Sequence, residues 1–247
     1  MAAVTDAAGA PARRFLLWHL GVPLAAALAL LALEHTGLDR AVSNRFFDIA
    51  TGSFPLRYSP SFEVVAHQWA RYVVVLIGCA VITAYGFSFA AERLKALRRV
   101  LLFLSLALVL APGAVSVLKA ASSRYCPYDV VDYGGFAPHL GLFDGLAPGL
   151  TAGHCFPSGH ASAGFCLFAF YFAGYALGNR LLALAGLWGG LGAGMAFGMA
   201  RIAQGAHFLS HNLWSALVCW LVILALYLAV LGTPKGAQEA AAKTNTG

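Results

Sequence analysis

A small set of side chains in this sequence could do chemistry, and they recur in order along the second half of the chain. Lys119 comes first. Pro157-Ser158-Gly159-His160 follows, then Arg201, then His207 and His211. Lys and Arg are fixed cations, and Arg adds a planar fork of donors. A Pro-Ser-Gly segment entering a helix offers backbone N–H groups and a hydroxyl to an anion. Two histidines provide one group to attack and one to donate a proton near neutral pH. Phosphoryl transfer is mostly positioning and charge neutralisation. Cations, a helix start and two histidines therefore suit phosphoryl transfer through a covalent phosphohistidine, with no metal and no cofactor. Taken singly, the same residues have plainer readings. Lys119 and Arg201 at span ends could be snorkelling anchors, and either histidine could be an ordinary interface residue.

The elements that must hold these residues are membrane spans. Of 247 residues, 60% are hydrophobic and 11% charged. A soluble domain carries about a quarter charged residues and could not hide this much apolar surface. Disorder is excluded by the same hydrophobicity. Six segments are long and apolar enough to cross a bilayer: Phe15–Leu33, Tyr72–Ala91, Val100–Leu118, Ala161–Leu177, Leu181–Met199 and Asn212–Leu231. None alternates at period two, so a transmembrane barrel does not fit. The expected fold is an all-α integral membrane bundle of six helices. Residues 1–14 are expected to be a disordered N-terminus, 15–231 the six-span domain and 232–247 a disordered tail.

Arg93, Lys95, Arg98 and Arg99 crowd the short loop between the second and third segments. By the positive-inside rule that loop is cytoplasmic. Both termini are then cytoplasmic, in a multi-pass protein of the cell inner membrane. Lys119, His160, Arg201, His207 and His211 fall together at the outer, periplasmic face. The net charge of +6 suits cytoplasmic loops and anionic head groups rather than nucleic acid.

The spacing of these residues resembles the type 2 phosphatidic acid phosphatase superfamily of membrane lipid phosphatases. The family pattern has three parts: Lys, six residues, Arg-Pro; then Pro-Ser-Gly-His; then Ser-Arg, five residues, His, three residues, Asp. Here Lys119 is followed after six residues by Cys126-Pro127. Pro157-Ser158-Gly159-His160 is intact. Ala200-Arg201 is followed after five residues by His207 and after three more by His211. The wording Cys126-Pro127-Tyr128-Asp129, followed by Tyr133-Gly134-Gly135, is similar to a bacterial subgroup that includes lipid A phosphatase-like members. The resemblance implies that Lys119 and Arg201 bind a phosphate, with Ser158 and the Gly159 N–H assisting. It implies His207 as nucleophile and His160 as the acid that protonates the leaving alkoxide. The substrate it implies is a lipid phosphomonoester or diphosphate. A phosphotransferase using the same residues and a non-catalytic lipid-binding descendant are the alternatives.

Three positions depart from the pattern. Cys126 replaces an Arg, and Arg124 is the expected substitute for that phosphate contact. Ala200 replaces Ser. His211 replaces the Asp that orients the nucleophile. It can still accept a proton from His207, with Asp129 or Asp132 as the other candidates for that role. Cys79, Cys166 and Cys219 lie in spans and read as small apolar residues. Cys126 and Cys155 share the outer loop and either close a disulfide or stay free. Neither has zinc-ligand spacing. The glycines at 186, 190, 194 and 198 form a bare stripe for close helix packing. Phe46, Phe47, Phe54 and Phe62 suggest that the first outer loop lies along the membrane interface.

Overall fold

The computed structural model describes residues 10–60, 70–146 and 148–232. The expected disordered tails, Phe62 and the outer-loop segment around it lie largely outside these. Among the described residues the fold is all-helical with no strand; isolated bridges join Asp48 to Ser53 and Val130 to Ala137. The helices are α1 (Ala10–Leu16), α2 (Val22–Leu33), α3 (Leu38–Ser43), α4 (Ala70–Phe87), α5 (Glu92–Lys95), α6 (Arg98–Ala121), α7 (Gly159–Phe165), α8 (Phe168–Ala176), α9 (Arg180–Ala203) and α10 (Leu209–Val230). A π-helical turn, Leu17–Gly21, joins α1 to α2.

Four helical runs among these are long and apolar enough to cross a membrane: Arg13–Leu33, Arg98–Ala121, Arg180–Ala203 and Leu209–Val230. They coincide with four of the six expected spans. The other two differ. The apolar part of α4, Tyr72–Phe87, is shorter than a full span. The expected span Ala161–Leu177 is divided into α7 and α8. The join is a tightened turn, where Leu167 N–H donates to the Gly164 carbonyl and Phe170 N–H to the Leu167 carbonyl. These three-residue bonds are tighter than the α-helical ladder.

The core follows from spacing. Phe103, Ala107, Ala111 and Val115 recur every four residues on α6 and are buried against Phe165, Phe172, Ile223 and Tyr227. Leu28, Leu76, Val117 and Trp188 point outward and are more than half exposed. Such a surface belongs against lipid.

The glycine stripe on α9 packs as its spacing predicts. All four glycines are buried. A Cβ on Gly186 would strike the Phe170 and Tyr171 backbone, one on Gly190 would strike Phe168, and one on Gly194 would strike the Phe165 ring. Gly164 on α7 faces the Gly194 backbone just as closely. Backbones that near can only be made by residues without side chains. This contact sets where the last turn of α9, with Arg201, sits relative to His160.

Above the bundle lies a second core. Phe54, Tyr125, Val130, Tyr133, Ala137, Leu140 and Phe208 are buried there, with Phe46, Phe47 and Tyr128 packed around them. Phe62 lies outside the described residues; Phe46, Phe47 and Phe54 are thus packed against the segment 125–140 rather than spread as an interface belt. Their rings find more apolar area in each other than at a wet head-group layer. Cys126 and Cys155 are joined as a disulfide, Cα–Cα 5.3 Å, which ties this cap to the start of α7.

Gly164→Ala should lower the thermal unfolding midpoint in detergent, by the equivalent of about 1–3 kcal/mol for an overpacked contact. Gly192→Ala, on the same α9 but with nothing near its added methyl, should not. Equal midpoints for both variants would mean that the stripe is not the packing seam.

Candidate functional site

Each element that carries a site residue has its own local reason to end where it does. The helix α9 ends in a Schellman motif. Gly205 takes φ +68, its N–H donates to the Ile202 carbonyl, and Ala206 N–H donates to the Arg201 carbonyl at 2.8 Å. A Cβ on Gly205 would also strike the Phe54 ring. This turn carries the chain from Arg201 to His207 in the shortest way.

The next helix, α10, begins under a remote carboxylate. Asp39, on α3, accepts the Ser210 N–H at 2.8 Å and also the Ser210 hydroxyl. A carboxylate at a helix start satisfies orphan donors and meets the positive dipole end. The Pro-Ser-Gly-His segment is pinned to α10 from the other side. Ser158 N–H donates to the His211 carbonyl at 3.1 Å, and the Ser215 hydroxyl donates to the Ser158 carbonyl at 2.9 Å. Ser158 itself is buried and caps α7, its Oγ accepting the Ala161 N–H. Its hydroxyl is therefore already engaged in holding the helix start.

The rings meet inside this frame. His207 and His211 are both buried, with Nδ1 to Nδ1 at 3.4 Å. The ring centroids of His160 and His207 are 6.5 Å apart, a spacing that one phosphate ester can bridge. His160 and Gly159 border a cavity of about 620 Å³ that Lys119 also lines. Arg201 donates to the Gln204 side-chain oxygen at 2.8 Å, which steadies its guanidinium. Burial, reinforced by the fields of Lys119, His160 and Arg201, pushes the His207 pKa well below its ordinary 6.5. At neutral pH that ring is uncharged and keeps a lone pair. If its proton sits on Nδ1 and is shared with His211, Nε2 is the free nucleophile. Two helix ends, a capped turn and two fixed cations thus surround one neutral imidazole.

The family model described as the PAP2 superfamily matches residues 100–233. The chain belongs to the PAP2 superfamily. The match spans α6 to α10 and contains all three motif segments. PAP2 members are generally phosphatases, and membership points to phosphatase or phosphotransferase chemistry on phosphate esters. Neither the curated proteins nor the solved structures contain a match.

Within this PAP2 frame, Lys119, His160, Arg201, His207 and His211 gather at one end of the bundle. Arg124 does something else. It is almost wholly buried, its Nη1 lies 3.0 Å from Glu34 Oε1, and its Nε donates to the Leu140 carbonyl at 3.0 Å. Its guanidinium stacks over Phe156, which in turn packs edge-on to His211. Arg124 is therefore engaged by Glu34 and the Leu140 carbonyl. A guanidinium already neutralised by a buried carboxylate has little charge left for a phosphate. Asp132 is paired with Arg40 at 2.7 Å. Asp129 is in the field of Arg57, whose guanidinium lies over the Tyr128 ring. Neither carboxylate is a partner of His207, whose Nδ1 faces His211 Nδ1 and Cys155 Sγ.

Three supporting residues were not singled out from sequence: Glu34, Asp39 and Gln204. An acid directly after the first apolar segment was the available signal for Glu34, because a carboxylate at that depth needs a partner. Asp39 acts on Ser210 across 171 positions, which no local pattern reveals.

Glu34→Gln should destabilise strongly, by about 3–5 kcal/mol, because Arg124 is left buried and uncompensated. The paired change Glu34→Leu with Arg124→Met should recover much of that loss and keep phosphate-ester hydrolysis. Thermal melts and an aryl phosphate assay read both. Loss of hydrolysis in a stably folded double variant would return Arg124 to the phosphate site.

Proposed function

We propose that this PAP2 protein is a phosphatase that removes a phosphate or diphosphate group from a membrane lipid. The observation that carries this reading is the shape of the cavity beside His160. It runs along Val74, Ile82, Leu108, Pro112 and Phe197, nearly all apolar, and finishes at Lys119, Gly159 and His160. A groove that is oily along its length and cationic at its end suits an amphiphile with an anionic head. A small polar phosphate ester would leave the apolar walls unused.

In the proposed reaction the substrate phosphate lies between Lys119 and Arg201. His207 Nε2 attacks phosphorus while Nδ1–H is held by His211. His160 gives its proton to the leaving lipid alkoxide, and a phosphohistidine forms on His207. Water then attacks phosphorus, His160 takes the water's proton, and free phosphate leaves. Fixed cations aimed at the developing charge lower the barrier without reorganising in the transition state.

The proposed side is the outer, periplasmic face of the inner membrane, with both termini in the cytoplasm. The Cys126–Cys155 disulfide supports this, since disulfides persist in oxidising compartments. The basic loop around α5 supports it from the other end of α4 and α6.

The test is a comparison of leaving groups. His160→Ala should abolish release of phosphate from a lipid phosphomonoester but spare much of the activity toward an activated aryl phosphate. A good leaving group needs no proton, whereas a lipid alkoxide does. His207→Ala should abolish both. Equal loss with the two substrates in His160→Ala would remove His160 from the acid role. Activity on the aryl ester with none on any lipid phosphate would overturn the lipid reading.

A further inference from the structure

The disulfide does more than staple the cap, because of what one of its sulfurs touches. Cys155 Sγ lies 3.6 Å from His207 Nδ1, and His207 Nδ1 lies 3.4 Å from His211 Nδ1. The three ligand atoms are all within 4.8 Å of one another, and all three residues are buried. Tetrahedral zinc, with bonds of about 2.3 Å to sulfur and about 2.05 Å to nitrogen, sets N–N at about 3.4 Å and N–S at about 3.6 Å. Two of the three edges match these values, and the third lies within 4.8 Å. As a disulfide, Cys155 is a poor ligand, since the thiolate is what binds metal. The three donors are thus gathered, and the bond to Cys126 withholds the thiolate.

We propose that reducing Cys126–Cys155 opens a soft-metal site made of Cys155 Sγ, His207 Nδ1 and His211 Nδ1, and that a thiophilic divalent ion bound there silences the enzyme. A dithiol supplies two electrons and two protons. The S–S bond breaks, two thiols form, and the dithiol closes to its own cyclic disulfide. Zn²⁺ or Cd²⁺ then displaces the Cys155 thiol proton to solvent and takes three protein ligands, with water fourth.

The silencing step rests on the reading of His207 as nucleophile. A metal on Nδ1 forces the remaining ring proton onto Nε2. The lone pair that would attack phosphorus is then gone, and the divalent charge stays behind the ring. His211 is what makes the site: the family's Asp there would give a harder, different donor set. The result is a phosphatase that works while its compartment is oxidising and becomes metal-sensitive when thiols are reduced.

Cadmium titration of the full-length protein in detergent tests this, read by the ultraviolet thiolate-to-cadmium charge-transfer band. Oxidised protein should show no more band than a Cys126→Ser, Cys155→Ser double variant, which retains the other cysteines. Dithiol-reduced protein and the single variant Cys126→Ser, which frees Cys155 without a reductant, should each gain one band per chain. Zn²⁺ should compete for it, and hydrolysis should fall in step and return with chelator. Adding His207→Ala or His211→Ala to Cys126→Ser should weaken cadmium binding at least tenfold. No band in Cys126→Ser, or a band indifferent to both histidine changes, overturns the site. A histidine-dependent band whose filling leaves hydrolysis untouched keeps the site and overturns the silencing. The same band in a protein with no hydrolysis to inhibit keeps the metal site and counts against the phosphatase reading instead.

Discussion

The constraint on which the rest of the structure depends is that His207 must stay uncharged beside two permanent cations. Its burial and the nearness of Lys119 and Arg201 both oppose its protonation. Under the proposed reaction these cations draw in a phosphate, which in a looser site they would share with an imidazolium. Here the imidazole stays neutral because it has been taken out of water. Taking it out of water requires walls, and each wall has a local cause. The glycine stripe lets α9 close onto α7 and α8. The Schellman turn delivers the chain from Arg201 directly to His207. Asp39 anchors the start of α10 just before His211. The cap built on Phe54 and Phe208 covers the opposite side.

His211 is the departure that distinguishes this site. A carboxylate behind the His207 ring would favour its charged form, whereas a second imidazole holds only its orientation. That arrangement suits a ring that must remain neutral until phosphorus is attached. The positive charge that develops on His207 in the proposed phosphohistidine then has no carboxylate behind it. Such an intermediate should be more labile than one with an acid partner. Cys126 extends the same pattern. Where the family carries a third cation, this chain has half of a disulfide whose other half lies against His207.

That these residues gather at one end of the bundle was legible because motif spacing and helix ends coincide. Lys119, His160, Arg201, His207 and His211 were each placed by type, interval and position at a helix end. The glycine stripe was legible for the same reason, since period four on a helix is one face. What sequence could not place were partnerships across long separations. Arg124 lies two residues from Cys126 and so looked like its substitute, but its partner Glu34 is 90 positions away. Phe46, Phe47 and Phe54 suggested a loop along the interface because the segment that buries them, residues 125–140, has no periodicity of its own. Composition likewise suggested six continuous spans, whereas the stretch after His160 is tightened where it meets the α9 glycines.

The central claim is that His207 carries the phosphoryl group. The most direct measurement is rapid acid-free quenching of purified protein during turnover of a phosphorus-labelled lipid phosphate, followed by peptide mapping under alkaline conditions. The account predicts one acid-labile, alkali-stable label per chain, on the peptide containing His207, absent from His207→Ala and still present in His160→Ala given an activated aryl phosphate. Turnover with no trapped label under these conditions, or the same label persisting in His207→Ala, would contradict it.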